Sequence, residues 1–178
     1  MHFLLQKSCL TILASALLVP ISALAQSGDN DGCTDATLKG DYAFRITGQR
    51  LPPGGAPIQT DGVAMTHFDG QGNLTQVDFV LTNEVPNPGP ADPVTGFYID
   101  ETGTYQVHPD CTGSAVIHVP APPGVSSGTE IDLMFVLSNH GRTIHTIVSR
   151  LLPPGSSTPV PTSVHSDAEK LDSSHDRK

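Results

Sequence analysis

Val63-Ala64-Met65-Thr66-His67-Phe68 leads into Asp69-Gly70-Gln71-Gly72-Asn73, and Leu74-Thr75-Gln76-Val77-Asp78-Phe79-Val80-Leu81-Thr82-Asn83 follows. In the second run Val77, Phe79 and Leu81 share one parity, and Gln76, Asp78 and Val80 share the other. A period of two marks a strand, because successive side chains leave a pleated backbone on opposite faces. The residues between the two runs offer two glycines where a tight turn needs positive φ. Together they predict a β-hairpin, the clearest in the chain.

The same grammar repeats on either side. Asp41 to Thr47 alternates Tyr42, Phe44 and Ile46 with Ala43, Arg45 and Thr47, and Leu51 to Thr60, with its four prolines and glycines in a row, reads as a loop. Val85 to Pro93 is a proline-rich loop, and Phe97 to Val107 is one strand or two broken near Gly103. His108-Pro109-Asp110 turns that segment into Ser114 to Val119, and Pro120 to Gly128 is a further loop. Glu130 to Ser138 and Arg142 to Leu151 form a second hairpin around Asn139-His140-Gly141. No run has the spacing of a three-turn helix, in keeping with 17 Gly and 16 Pro among 178 residues. The expectation is all-β: a single antiparallel β-barrel of about eight strands, with a two-sheet sandwich as the alternative. Closure is attractive because an open sheet leaves edges that recruit other chains.

Both ends of the chain read differently. Residues 1–25 carry Lys7, an apolar run from Leu10 to Val19, and Ala23-Leu24-Ala25 before Gln26. That is the layout of a signal peptide cut between Ala25 and Gln26. The apolar run is shorter than the ~20 residues a membrane span requires and is followed by Pro20. Export to the periplasm or the cell exterior is therefore expected, with no membrane span in the mature chain. Residues 26–32 read as a flexible segment, 33–151 as the barrel domain, and 152–178, rich in Pro, Ser, Thr and charge, as a disordered tail. A domain of about 119 residues can bury roughly two thirds of its unfolded surface.

The formal charge of −9 argues against nucleic acid as a partner, since phosphate binding needs a basic footprint. Beyond the leader's Cys9, only Cys33 and Cys111 remain. In an exported chain two thiols are most simply one disulfide; a metal pair and a catalytic thiol are the competing readings. Seven histidines lie beyond the leader, but no convergent ligand spacing accompanies them, so neither a metal nor a cofactor is expected.

Ionisable residues inside strand patterns are the candidates for a pocket, because a barrel turns alternate side chains inward. Arg45, Asp78, Glu101, His118, Asp132 and His145 are such positions. Alternation alone leaves open which parity faces inward. A carboxylate beside a histidine in a dry cavity could carry acid–base chemistry. In Glu130 to Ser138 both faces hold apolar residues, Ile131, Leu133, Phe135 and Leu137 against Met134 and Val136, which leaves homo-oligomerisation open.

Three phrases occur together: Cys33 followed by Leu38-Lys39-Gly40-Asp41-Tyr42-Ala43-Phe44, then Phe68-Asp69-Gly70-Gln71-Gly72-Asn73-Leu74-Thr75, then Gly103-Thr104-Tyr105-Gln106-Val107 running into Asp110-Cys111-Thr112-Gly113. They resemble a group of small exported bacterial proteins associated with the allene oxide cyclase barrel-like, or calycin-like, architecture. The resemblance implies an eight-stranded antiparallel barrel with a cavity, a paired Cys33 and Cys111, and no established reaction. Plant cyclases of that architecture close a reactive epoxide inside the barrel, but no matching set of their active-site residues falls on this chain, so the enzymatic label would rest on fold analogy alone. The expected function is binding of a small, mostly apolar ligand within the barrel. A cyclase or isomerase acting on a lipid or polyketide intermediate is the alternative, and a structural or surface-interaction role is a third.

Overall fold

A computed structural model describes residues 32–87 and 89–172. The expected signal peptide, its expected cleavage site and nearly all of segment 26–32 lie outside the described residues.

Nine strands follow a single turn of 3-10 helix at Asp35–Thr37: β1 (Lys39–Arg50), β2 (Ile58–Asp69), β3 (Asn73–Thr82), β4 (Val85–Pro86), β5 (Tyr98–Val107), β6 (Thr112–Val119), β7 (Thr129–Ser138), β8 (Thr143–Leu152) and β9 (Thr162–Lys170). All pairings are antiparallel. The order is β2-β1-β9-β8-β7-β6-β5-β3, and β2 also pairs with β3, which closes eight strands into a barrel and leaves β4 as a short appendage on β3. The expected barrel is thus present, and the sandwich alternative is not.

The expected tail is corrected. Within residues 152–178, Thr162–Lys170 forms β9, bonded to β1 along nine residue pairs and to β8 along five. The barrel domain therefore runs on to Lys170 rather than ending at 151. The segment cannot bury enough apolar surface to fold alone, but β1 and β8 each present it with an unpaired edge. Its inward residues are Val164, Ser166 and Ala168, all buried, while His165, Asp167 and Glu169 are exposed. Small inward residues suit a narrow seam and carry almost no hydrophobic signal.

The two ends of the barrel differ, and the difference places the cavity. At one end the connections are tight turns, 70–72, 108–111 and 139–142; at the other they are the longer Pro- and Gly-containing loops 51–57, 83–97, 120–128 and 153–161. The turn end is packed solid. Leu38, Tyr42, Phe68, Leu74, Tyr105, Phe135 and Ile144 form its core, with Tyr42 on Phe68 and Phe68 on Tyr105 in edge-to-face contacts of 5.4 and 5.0 Å. Tyr42 donates its hydroxyl to the Gly141 carbonyl at 2.6 Å, and Tyr105 donates to the Leu38 carbonyl at 2.9 Å. Each tyrosine thus buries an apolar ring while its polar tip ties down a turn or the N-terminal segment. Cys33 is joined to Cys111 in a disulfide that spans 78 residues and pins the same end. A loop of that length corresponds to roughly 4 kcal/mol in the chain-entropy account. Phe135 lies across β6, where a Cβ on Gly113 would come within 2.3 Å of its ring, so only glycine fits there.

Candidate functional site

Between the packed turn end and the loops lies a cavity of about 310 Å³, at the lower end of the usual range for small-molecule sites. Its walls are largely aliphatic: Ile46, Ala64, Val80, Ala115, Ile117, Ile131, Leu133 and Val148 all contribute. Against this background, one polar cluster stands out.

The cluster is built by β2, β3 and β5, and the register explains it. Thr66 pairs with Gln76, and Gln76 with Glu101, so three inward side chains lie in one row across three strands. Thr66 Oγ1 donates to Gln76 Oε1 at 2.7 Å, which orients the amide so that Gln76 Nε2 donates to Glu101 Oε2 at 2.7 Å. Two residues further along β3, Asp78 faces inward beside Glu101. A register shift between Gln76 and Asp78 sets Tyr98 opposite Asp78, so that β5 spends four residues where β3 spends three. The extra residue is taken up around Asp100, whose φ is 65°. By this bulge Tyr98 and Glu101, three apart in sequence, both line the cavity.

Both carboxyl groups are buried, Asp78 at 7% and Glu101 at 1% exposure. Burial raises the Glu101 carboxyl, the charge of Asp78 raises it further, and it stands at about 8. Burial likewise raises Asp78, to about 6. Two acids this close resist joint ionisation, so near neutral pH the pair holds one proton. Tyr98 is raised by burial and by the same Asp78 charge.

Three buried side-chain polar atoms among the described residues have no hydrogen-bond partner: Glu101 Oε1, Thr60 Oγ1 and Arg50 Nε. All three belong to residues that line this cavity. Arg50, at the loop end of β1, has its guanidinium lowered by burial.

Of the six residues expected from the sequence, the structure brings two together, Asp78 and Glu101. The other four are corrected: Arg45, His118, Asp132 and His145 have outward parity and do not line this cavity. His145 pairs with Asp167 at 2.6 Å, with both side chains more than half exposed. Arg150 bridges Glu130 and Asp132 on the outer surface, and His118 lies 3.6 Å from Glu130. Carboxylate–histidine pairs therefore do exist, but in water, where a pair stabilises little and a proton relay has no dry path. Thr66, Gln76, Tyr98, Thr60 and Arg50 were absent from the expected set. Inward parity on β3 was the signal that could have found Gln76, since it shares a face with Asp78. Among the described residues no group of three or more His, Cys, Asp or Glu could hold a metal ion, and no helix is long and apolar enough to cross a membrane.

No family model matches the chain, and no curated protein matches it either.

Proposed function

We propose that the chain is an exported barrel that binds a small, mostly apolar molecule in its interior, with the polar row on β2, β3 and β5 reading one polar group of that molecule. One observation carries the reading: the three buried side-chain polar atoms left unpartnered among the described residues all belong to residues that line the same largely aliphatic cavity. Unmade hydrogen bonds are costly when buried, and their convergence on one space supports an occupant that makes them. Residues 1–25 and the disulfide favour an oxidising compartment outside the cytoplasm.

Titration with a neutral, environment-sensitive naphthalene dye tests this reading. Saturable one-to-one binding is expected, lost when the cavity is filled by Ala115→Phe in a protein whose circular dichroism is unchanged. Absence of saturable binding to the parent protein would contradict it.

A second reading, an isomerase or cyclase, is favoured by the Asp78–Glu101 pair, because two acids pushed to different values make a matched base and acid. Turnover that disappears in Glu101→Gln while dye binding persists would favour that reading over binding alone.

A further inference from the structure

The cavity's acid pair has no countercharge. Among the described residues, no Lys, Arg or His lies within 4.0 Å of Asp78 or Glu101. The ionisable groups that border the same space are few. β5 adds Tyr98, β1 adds Arg50 and β9 adds the exposed His165, whereas the lining residues of β6, β7 and β8 carry no titratable group. Arg50 is remote from the acids. The register sets Phe44 against Ala64 and Ala64 against Asp78, and Arg50 stands six residues further along β1. Six residues of strand span on the order of 20 Å.

Resting on the binding reading above, we propose that the polar group read by this site is a protonated amine, held by Asp78 and Glu101 on a ligand whose remainder is small and apolar. Charge and donor count both support this class. A carbonyl or ether oxygen could accept a proton from Glu101 but would leave the Asp78 carboxylate uncompensated. A carboxylate would add a second anion to a space that already resists two. A primary ammonium brings one positive charge and three N–H donors, matching the Asp78 carboxylate and the free Glu101 Oε1 together. The aliphatic walls then exclude the water that would otherwise compete.

Proton release is the signature of this arrangement. An alkylammonium has a pKa near that of lysine, about 10.4, and stays charged across the neutral range. On arrival its single charge compensates the Asp78 carboxylate and draws the Glu101 midpoint downward, so part of the proton held by the pair leaves to solvent. Affinity for the amine therefore rises between pH 6 and 8, by at most about tenfold per unit for one proton released. Affinity for a neutral analogue does not follow that rise.

The experiment is calorimetric titration of the full chain with n-hexylamine and n-hexanol, two probes of equal reach, in buffers of different ionisation enthalpy. At pH 8 the amine is expected to bind at least tenfold more tightly than the alcohol, with a measurable fraction of one proton released near pH 7. Asp78→Asn should bring the amine down to the alcohol's affinity, and Glu101→Gln should abolish proton release. Equal binding of both probes to the parent protein, with the naphthalene dye still bound, would overturn the amine assignment and leave the cavity reading standing. Failure of the dye and both probes would overturn both. The comparison in the parent protein and the proton count need no variant, so a misfolded substitution does not shield the proposal.

Discussion

Gln76 Nε2 donates to Glu101 Oε2 at 2.7 Å across the β3–β5 pair, and the amide is itself held by Thr66 at 2.7 Å. This row fixes a carboxyl group in an aliphatic cavity with its second oxygen unpartnered. Every chemical property assigned to the site follows from that placement.

Stability should fall as pH rises. Burial raises both acids in the folded chain, Glu101 from 4.5 to about 8 and Asp78 from 3.8 to about 6, so between those values the folded state binds more protons than the unfolded state. Their favourable contribution is present in full below the unfolded values and is lost as pH climbs through the folded ones, with a slope of at most about 1.4 kcal/mol per unit per proton. Asp69, Asp92 and Asp110 are lowered by hydrogen bonds within turns and act only below their ordinary range. Urea denaturation from pH 5 to 8.5 checks the prediction. The parent protein should weaken across the range, and Glu101→Gln should weaken less above pH 6.

Ending the chain at Pro161 should destroy the fold. β9 supplies the ladder between β1 and β8, and its removal leaves two long unpaired edges and an opened interior. The shortened chain is expected to lose its cooperative thermal transition and to aggregate, read by circular dichroism and size-exclusion chromatography. A monomer with the parent melting temperature would show that β9 is dispensable.

Tyr42→Phe should cost about 1–2 kcal/mol, because the buried Gly141 carbonyl loses its donor while the ring packing on Phe68 remains. Dye binding should be unaffected, since the tyrosine lies in the packed turn end rather than along the cavity. Chemical denaturation together with dye titration separates the two effects.

Much of the barrel was legible in the sequence, because its long strands alternate and its turns are marked by Gly, Asn and Asp. The hairpin at 63–83 is β2 and β3, and that at 130–151 is β7 and β8. β9 was not legible, since its inward residues Val164, Ser166 and Ala168 are small and its outward ones resemble a solvated tail. The site was half legible. Alternation identified Asp78 and Glu101 as strand positions but left parity open, so Arg45, His118, Asp132 and His145 carried equal weight until the barrel's inside was known. Arg50 lay at the edge of a run ending in a proline loop. Tyr98 was hidden by the bulge, which breaks the period on which such a reading depends.

The most direct measurement is a carbon-detected NMR titration of the side-chain carboxyl groups, free and in the presence of n-hexylamine. The account predicts that Glu101 titrates near 8 and Asp78 near 6 in the free protein, and that both midpoints fall when the amine is bound but not with n-hexanol. A spectrum in which every carboxyl group titrates below pH 5, or in which the amine leaves these two midpoints unmoved, would contradict it.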